Sequence, residues 1–154
     1  MGVEVKCEIF LEIYQTFINA CYNDFPEYRI SSLYTIGYLF DEINPKFISN
    51  EIKRNFLSSI LFNIEKNNEE VLKIALNSFI KILPHLKNLF SVIEIKGQIM
   101  QRIFDIKDFE IIYKDLLLIL CEISKNYYND LNENDIQIFI EISGKSVRNY
   151  LRKA

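Results

Sequence analysis

The chain has 154 residues, of which 49% are hydrophobic and 25% charged, with 4 Gly and 3 Pro. That length supports one domain with a real core, the composition excludes a disordered chain, and so few turn formers leave little to divide a β-sandwich or barrel into strands. A net charge of −3 argues against a nucleic-acid binder, which carries a basic stripe, and no apolar run approaches the roughly 18 residues of a membrane span.

In chain order, the apolar spacing predicts a first helix over residues 3–22, with Ile9, Ile13, Phe17 and Cys21 in one row at four-residue steps. Asn23-Asp24 end it. Pro26 suits the first turn of a second helix carrying Leu33, Ile36, Phe40 and Ile43. Gly37 costs that helix about 1 kcal/mol against Ala, which points to close approach of a neighbouring helix. Asn44-Pro45 breaks the chain. Ser49 is a suitable N-cap, with Glu51 complementing the dipole of a third helix that holds Ile52, Phe56, Leu57, Ile60, Leu61 and Ile64. Asn67-Asn68 turn into a fourth helix, which starts at Glu69-Glu70, presents Val71, Ala75, Phe79 and Ile82, and is stopped by Pro84. A fifth is expected over 89–104 through Val92, Ile95, Ile99 and Ile103. After a turn at 105–108, a sixth runs to residue 126 through Ile112, Leu116, Ile119 and Ile123. A seventh begins near Glu133 with Ile136, Phe139 and Ile140. Gly144 is expected to end it, leaving 146–153 as the opening of an eighth.

Three of these helices share a string: Tyr28-Arg29…Ser32…Ile36, Val71-Leu72…Ala75…Phe79, and Ile111-Ile112…Asp115…Ile119. A two-helix unit recurring at about forty residues has the period of HEAT and armadillo arrays. The expected fold is therefore all-α: a right-handed α-solenoid of antiparallel helix hairpins, HEAT/armadillo-like, with units near 3–44, 46–84 and 89–127 and a partial fourth at 132–154. Such a fold is a surface for binding, with no built-in pocket for chemistry. Neither end carries an evident polar cap. The chain is accordingly expected to be a piece of a longer solenoid, with ends prone to self-association.

The chemical alternatives are thin. Gly144-Lys145-Ser146 resembles the end of a phosphate-binding loop, but the first glycine that loop needs falls at Phe139, and a helix precedes it. His85 is the single histidine. With Cys7, Cys21 and Cys121 scattered and no Cys-x-x-Cys pair, no metal-ligand spacing exists, and the cysteines read as buried free thiols. The acidic pairs Asp41-Glu42 and Glu69-Glu70 sit at helix ends, where a dipole or solvation role outweighs acid–base work. The basic tail Lys145…Arg148…Arg152-Lys153 reads as a solvated helix end. No enzyme, cofactor or metal is expected.

One segment points to a family. Thr35-Ile36-Gly37-Tyr38-Leu39-Phe40-Asp41-Glu42-Ile43-Asn44-Pro45 is similar to the Ile-Gly-Tyr…Asp-x-Asp-Pro corner of importin-β, the karyopherin nuclear import receptors. Ser49-Asn50-Glu51-Ile52, residues 67–83, Ile99-Met100-Gln101 and Ser124…Tyr127-Tyr128 continue the resemblance in order, as in the N-terminal third of such a receptor. Asp115 departs from it, since the repeats usually place a small apolar residue there. The resemblance implies an array that binds Phe-Gly nucleoporin repeats on its outer surface and importin-α, cargo or the Ran GTPase on its inner one, in cytoplasm and nucleus. The positions matching the nucleoporin pocket are Leu57, Ser58 and Leu61 on one helix with Ile95, Gln98 and Ile99 on the next. Gln98 stands where the family carries an aromatic, and Ile95 where it carries a carboxylate. Steps of four place Leu57/Leu61 and Ile95/Ile99 each on one helix face, a spacing that equally describes core between units. The other class consistent with the pattern is a structural HEAT scaffold of the phosphatase- or chromosome-organising type.

Overall fold

The computed structural model describes residues 3–65 and 67–153, with side chains from residue 11 on except those of 45 and 153, and every regular element among the described residues is helical. Eight α-helices follow in order: α1 (Val3–Ala20), α2 (Pro26–Glu42), α3 (Asn50–Phe62), α4 (Glu69–Ile82), α5 (Lys87–Phe90), α6 (Ile93–Asp105), α7 (Tyr113–Tyr127) and α8 (Glu133–Lys153). Short 3-10 turns occupy Pro45–Phe47, Leu83–His85, Glu110–Ile112 and Tyr128–Asp130.

The helix starts follow their capping chemistry. Ser49 Oγ accepts from the Ile52 amide at 3.2 Å, and Asn68 Oδ1 accepts from the Val71 amide at 3.1 Å. Each satisfies an amide that the first helical turn leaves without a partner, for about 1 kcal/mol. Before α8, Asn132 and Asp135 cap one another reciprocally at 2.9 and 3.0 Å.

Packing arranges the helices in two rows. In one, α2 packs on α4 and α4 on α7; in the other, α1 packs on α3, α3 on α6 and α6 on α8. The rows meet where α1 packs on α2, α3 on α4 and α7 on α8. Between them runs one core in which Leu33, Ile36, Phe56, Leu72, Phe79 and Ile119 are wholly buried. Each such side chain contributes about 1.5–3 kcal/mol of burial. At Gly37 the two helices α2 and α4 pass close to one another. A methyl there would stand 3.0 Å from Ser78 Oγ, and that hydroxyl donates to the Leu33 carbonyl at 2.5 Å. An ion pair of Lys81 with Asp41 at 2.8 Å closes the same contact.

Several expectations are corrected. The predicted helix over 89–104 is two: α5 ends at Phe90, and α6 starts after Val92, whose backbone is extended. The cause lies on α7, where the Tyr127 ring stacks on Phe90 at 4.4 Å. Its hydroxyl donates to the Leu83 carbonyl and accepts from the Leu86 amide at 2.9 Å, which pins the irregular stretch after α4. Burial pushes the Tyr127 phenol up to about 12, so it stays a donor. Gly144 ends nothing: α8 is continuous, and no described glycine adopts the positive φ of a helix stop. On α1 the buried side is Tyr14, Ile18 and Cys21, while Ile13 faces outward. The side chains of Cys7 and Ile9 lie outside the described residues. Cys121 is exposed rather than buried.

Candidate functional site

The end of α1, the C-terminal half of α3 and the middle of α6 enclose an open cavity of about 310 Å³, lined by Tyr22, Ser58, Leu61, Phe62, Gln98 and Arg102. Asn63 ties two of these elements together. Its Nδ2 donates to the Cys21 carbonyl at 3.0 Å and to the Ser59 carbonyl at 2.8 Å, holding the end of α1 against the end of α3. That contact brings the Tyr22 and Phe62 rings to 4.7 Å, tilted by 51°. Both rings keep about two fifths of their surface in solvent (44% and 41%), so they form an aromatic wall still open to a ligand.

The six positions expected at a nucleoporin pocket divide in two. Ser58, Leu61 and Gln98 line this cavity. Leu57, Ile95 and Ile99 are core, and Leu61 itself is 4% exposed, so it forms the floor rather than the rim. Phe62, Tyr22 and Arg102 complete the cavity without having been singled out beforehand. Phe62 follows Ser58 by four residues, and Arg102 follows Gln98 by four, so same-face spacing carries the signal for both. Tyr22 lies just past the end of α1, and only its contact with Phe62 reveals it. The walls of the cavity are apolar and aromatic on the α1–α3 side and polar, with one guanidinium, on the α6 side.

The remaining chemical candidates resolve structurally. Gly144-Lys145-Ser146 lies inside α8, where Lys145 pairs with Asp108 and Ser146 is buried. In the basic tail, Arg152 reaches Glu110 at 3.7 Å, so it leans on the 108–110 segment; the Lys153 side chain lies outside the described residues. His85 stacks on Phe40 at 5.5 Å. The Cys21 thiol, buried beside the cavity, is pushed up to about 12 by desolvation and is a poor nucleophile. Among the described residues no group of three or more His, Cys, Asp or Glu could hold a metal ion, and no helix is long and apolar enough to cross a membrane. Compared with family models, curated proteins and solved structures, the chain matches none.

Proposed function

We propose that the chain is a stretch of right-handed α-solenoid of the HEAT or armadillo kind, and that its work is to bind other proteins. Within that class we read it as a segment of a nuclear transport receptor. It takes Phe-Gly nucleoporin repeats and moves between cytoplasm and nucleus, with cargo, importin-α or Ran on other surfaces. Two rows of helices, each packing on its row neighbour, support the array. The observation that carries the specific reading is the cavity between α3 and α6. It opens between first helices of adjacent units, contains Ser58, Leu61 and Gln98, and has an aromatic wall for a nucleoporin phenylalanine.

The test is a titration of the chain with a Phe-Gly repeat peptide by NMR. Shifts should centre on Tyr22, Phe62 and Gln98. Ser58→Arg, which fills the cavity from its exposed rim, should weaken binding at least about tenfold, or 1.4 kcal/mol. Leu61 is unsuitable for a charged substitution because it is buried and would report on folding. Absence of binding, or binding indifferent to Ser58→Arg, sinks the transport reading.

A structural scaffold of the phosphatase- or chromosome-organising type is the second reading. It draws support from α2 and the residue that caps it, where Phe25, Tyr28, Tyr34 and Tyr38 are all half exposed or more, since aromatics are enriched at protein interfaces. Partner binding that shifts these aromatics and leaves Tyr22 and Phe62 unmoved would favour it.

A further inference from the structure

Helix α8 carries more apolar surface than the single chain covers: Ile138, Phe139 and Ile142 pack on the core, and a further apolar row is left in solvent. The row it turns toward α6 and α7 includes Asp135, Ser146 and Asn149, all buried, with Ile142. Asp135 is held there by Lys96 of α6 at 2.8 Å, and the Lys96 ammonium also donates to the Asp130 carbonyl at 3.1 Å. Beside that row, Ile136, Ile140, Val147 and Leu151 are each between 41% and 65% exposed, and Tyr150, 50% exposed, rests one edge on Tyr113 of α7 at 5.9 Å. Ile136, Ile140, Ser143, Val147 and Tyr150 follow one another at alternating steps of four and three. That spacing is the seam of a coiled coil, whose partner is another helix. Beside the N-terminal half of the seam runs a groove of about 470 Å³, walled by Tyr128, Leu131, Ile136, Phe139 and Ile140.

We propose that this seam is a homodimer interface, in which α8 of one copy packs antiparallel on α8 of a second. Three features select that occupant. Exposed charge on α8 is divided by sign, with Glu133 and Glu141 in the first half and Arg148 and Arg152 in the second. Antiparallel pairing sets acidic half against basic half and opposes the two helix dipoles, whereas parallel pairing sets like against like. The seam is also self-complementary about its midpoint. With Ile136 opposite Leu151, which flanks the seam, and Ile140 opposite Val147, Ser143 and Gly144 fall at the crossing, where small side chains let two helices approach, and Tyr150 meets Gln137. Finally, that register places Leu151 of each copy, the most exposed apolar residue of the row, over the groove of the other. The seam shares no residue with the α3–α6 cavity, so the two are tested by separate substitutions.

Sedimentation equilibrium and light scattering on the intact chain test it. A reversible species of twice the 18.3 kDa chain mass should grow with concentration below the millimolar range. Ile140→Glu and Leu151→Glu should each weaken it at least about tenfold, as the loss of a central apolar anchor does. Ile93→Glu, on α6 at a site 81% exposed and outside the seam, should leave it unchanged, with the helix signal in circular dichroism constant in all three. Ser143→Cys in a Cys121→Ser background should cross-link two copies on mild oxidation. A strict monomer overturns the proposal. So does association that Ile93→Glu weakens as much as Ile140→Glu, or an open series of oligomers in place of a closed pair.

Discussion

His85 shows how a side chain with no chemical task still reports on the fold. Its ring stacks on Phe40 of α2 at 5.5 Å with only 24° between planes, next to the Lys81–Asp41 contact that joins α2 to α4. Burial lowers its pKa below the ordinary 6.5, the Lys53 ammonium lowers it further, and Asp41 pulls the other way. The folded chain therefore holds the neutral imidazole, while the unfolded chain takes up a proton near 6.5. Stability from this site is complete above that value and is lost as pH falls from 6.5 toward the lowered folded value. Because the chain has a single histidine, its ring protons give one clean NMR titration. The midpoint should lie below 6.5, rise in Lys53→Gln and fall further in Asp41→Asn. A midpoint at 6.5 that ignores both changes would mean that the ring is solvated and the α2–α4 contact is misplaced. At this scale the sequence was partly legible. The four-residue steps Leu57/Leu61 and Ile95/Ile99 were readable, whereas the split of the six pocket positions between cavity and core depended on helix rotation. A stripe of Leu57, Leu61, Ile95 and Ile99 has the same period whether it lines a cavity or fills a core, and the neighbouring helices put it in the core.

Between elements, the contact of α2 with α4 depends on Gly37 and Ser78 being small. A methyl at Gly37 would meet Ser78 Oγ at 3.0 Å and Lys81 Cδ at 3.3 Å. Gly37→Val should destabilise the chain by about 1–3 kcal/mol in urea unfolding, because the added bulk drives two packed backbones apart. Ser78→Gly in the same chain should return part of that loss even though it removes the bond to Leu33, a non-additivity expected only of residues in contact. Additive losses would show that the two positions do not touch. The close approach was readable from an otherwise unfavourable glycine in a strong helical pattern, and the starts of α3 and α4 from Ser49 and Asn68. The break between α5 and α6 was not. Leu89, Val92, Ile95 and Ile99 keep helical spacing straight through it, and its cause is Tyr127 on α7, far along the chain. Gly144 misled for the opposite reason. A glycine stops a helix only by taking positive φ, and here Ile142, Ser146 and Asn149 hold α8 against its neighbours on both sides of it.

At the scale of the whole molecule, each helix is stabilised by its row neighbours, so stability should decline from the middle outward. Helix α4 is the most enclosed, packed by α2, α3 and α7 at once, and it holds the wholly buried Leu72, Ala75, Leu76 and Phe79. Helix α8 packs on α6 and α7 through a row containing Asp135, Ile142, Ser146 and Asn149, and its outer row is left open. Hydrogen exchange in dilute solution should therefore find α4 amides opening only with global unfolding, and α8 amides opening at distinctly lower free energy. The two rates should approach one another as concentration rises, because covering the outer seam of α8 gives that helix the second flank it lacks and stabilises it by mass action. Ile140→Glu should remove the concentration dependence and leave the dilute-solution rates nearly unchanged, since Ile140 is largely exposed in the single chain. Exchange from α8 as slow as from α4 in dilute solution would mean that the stack is one cooperative block, with no gradient from its centre to α8.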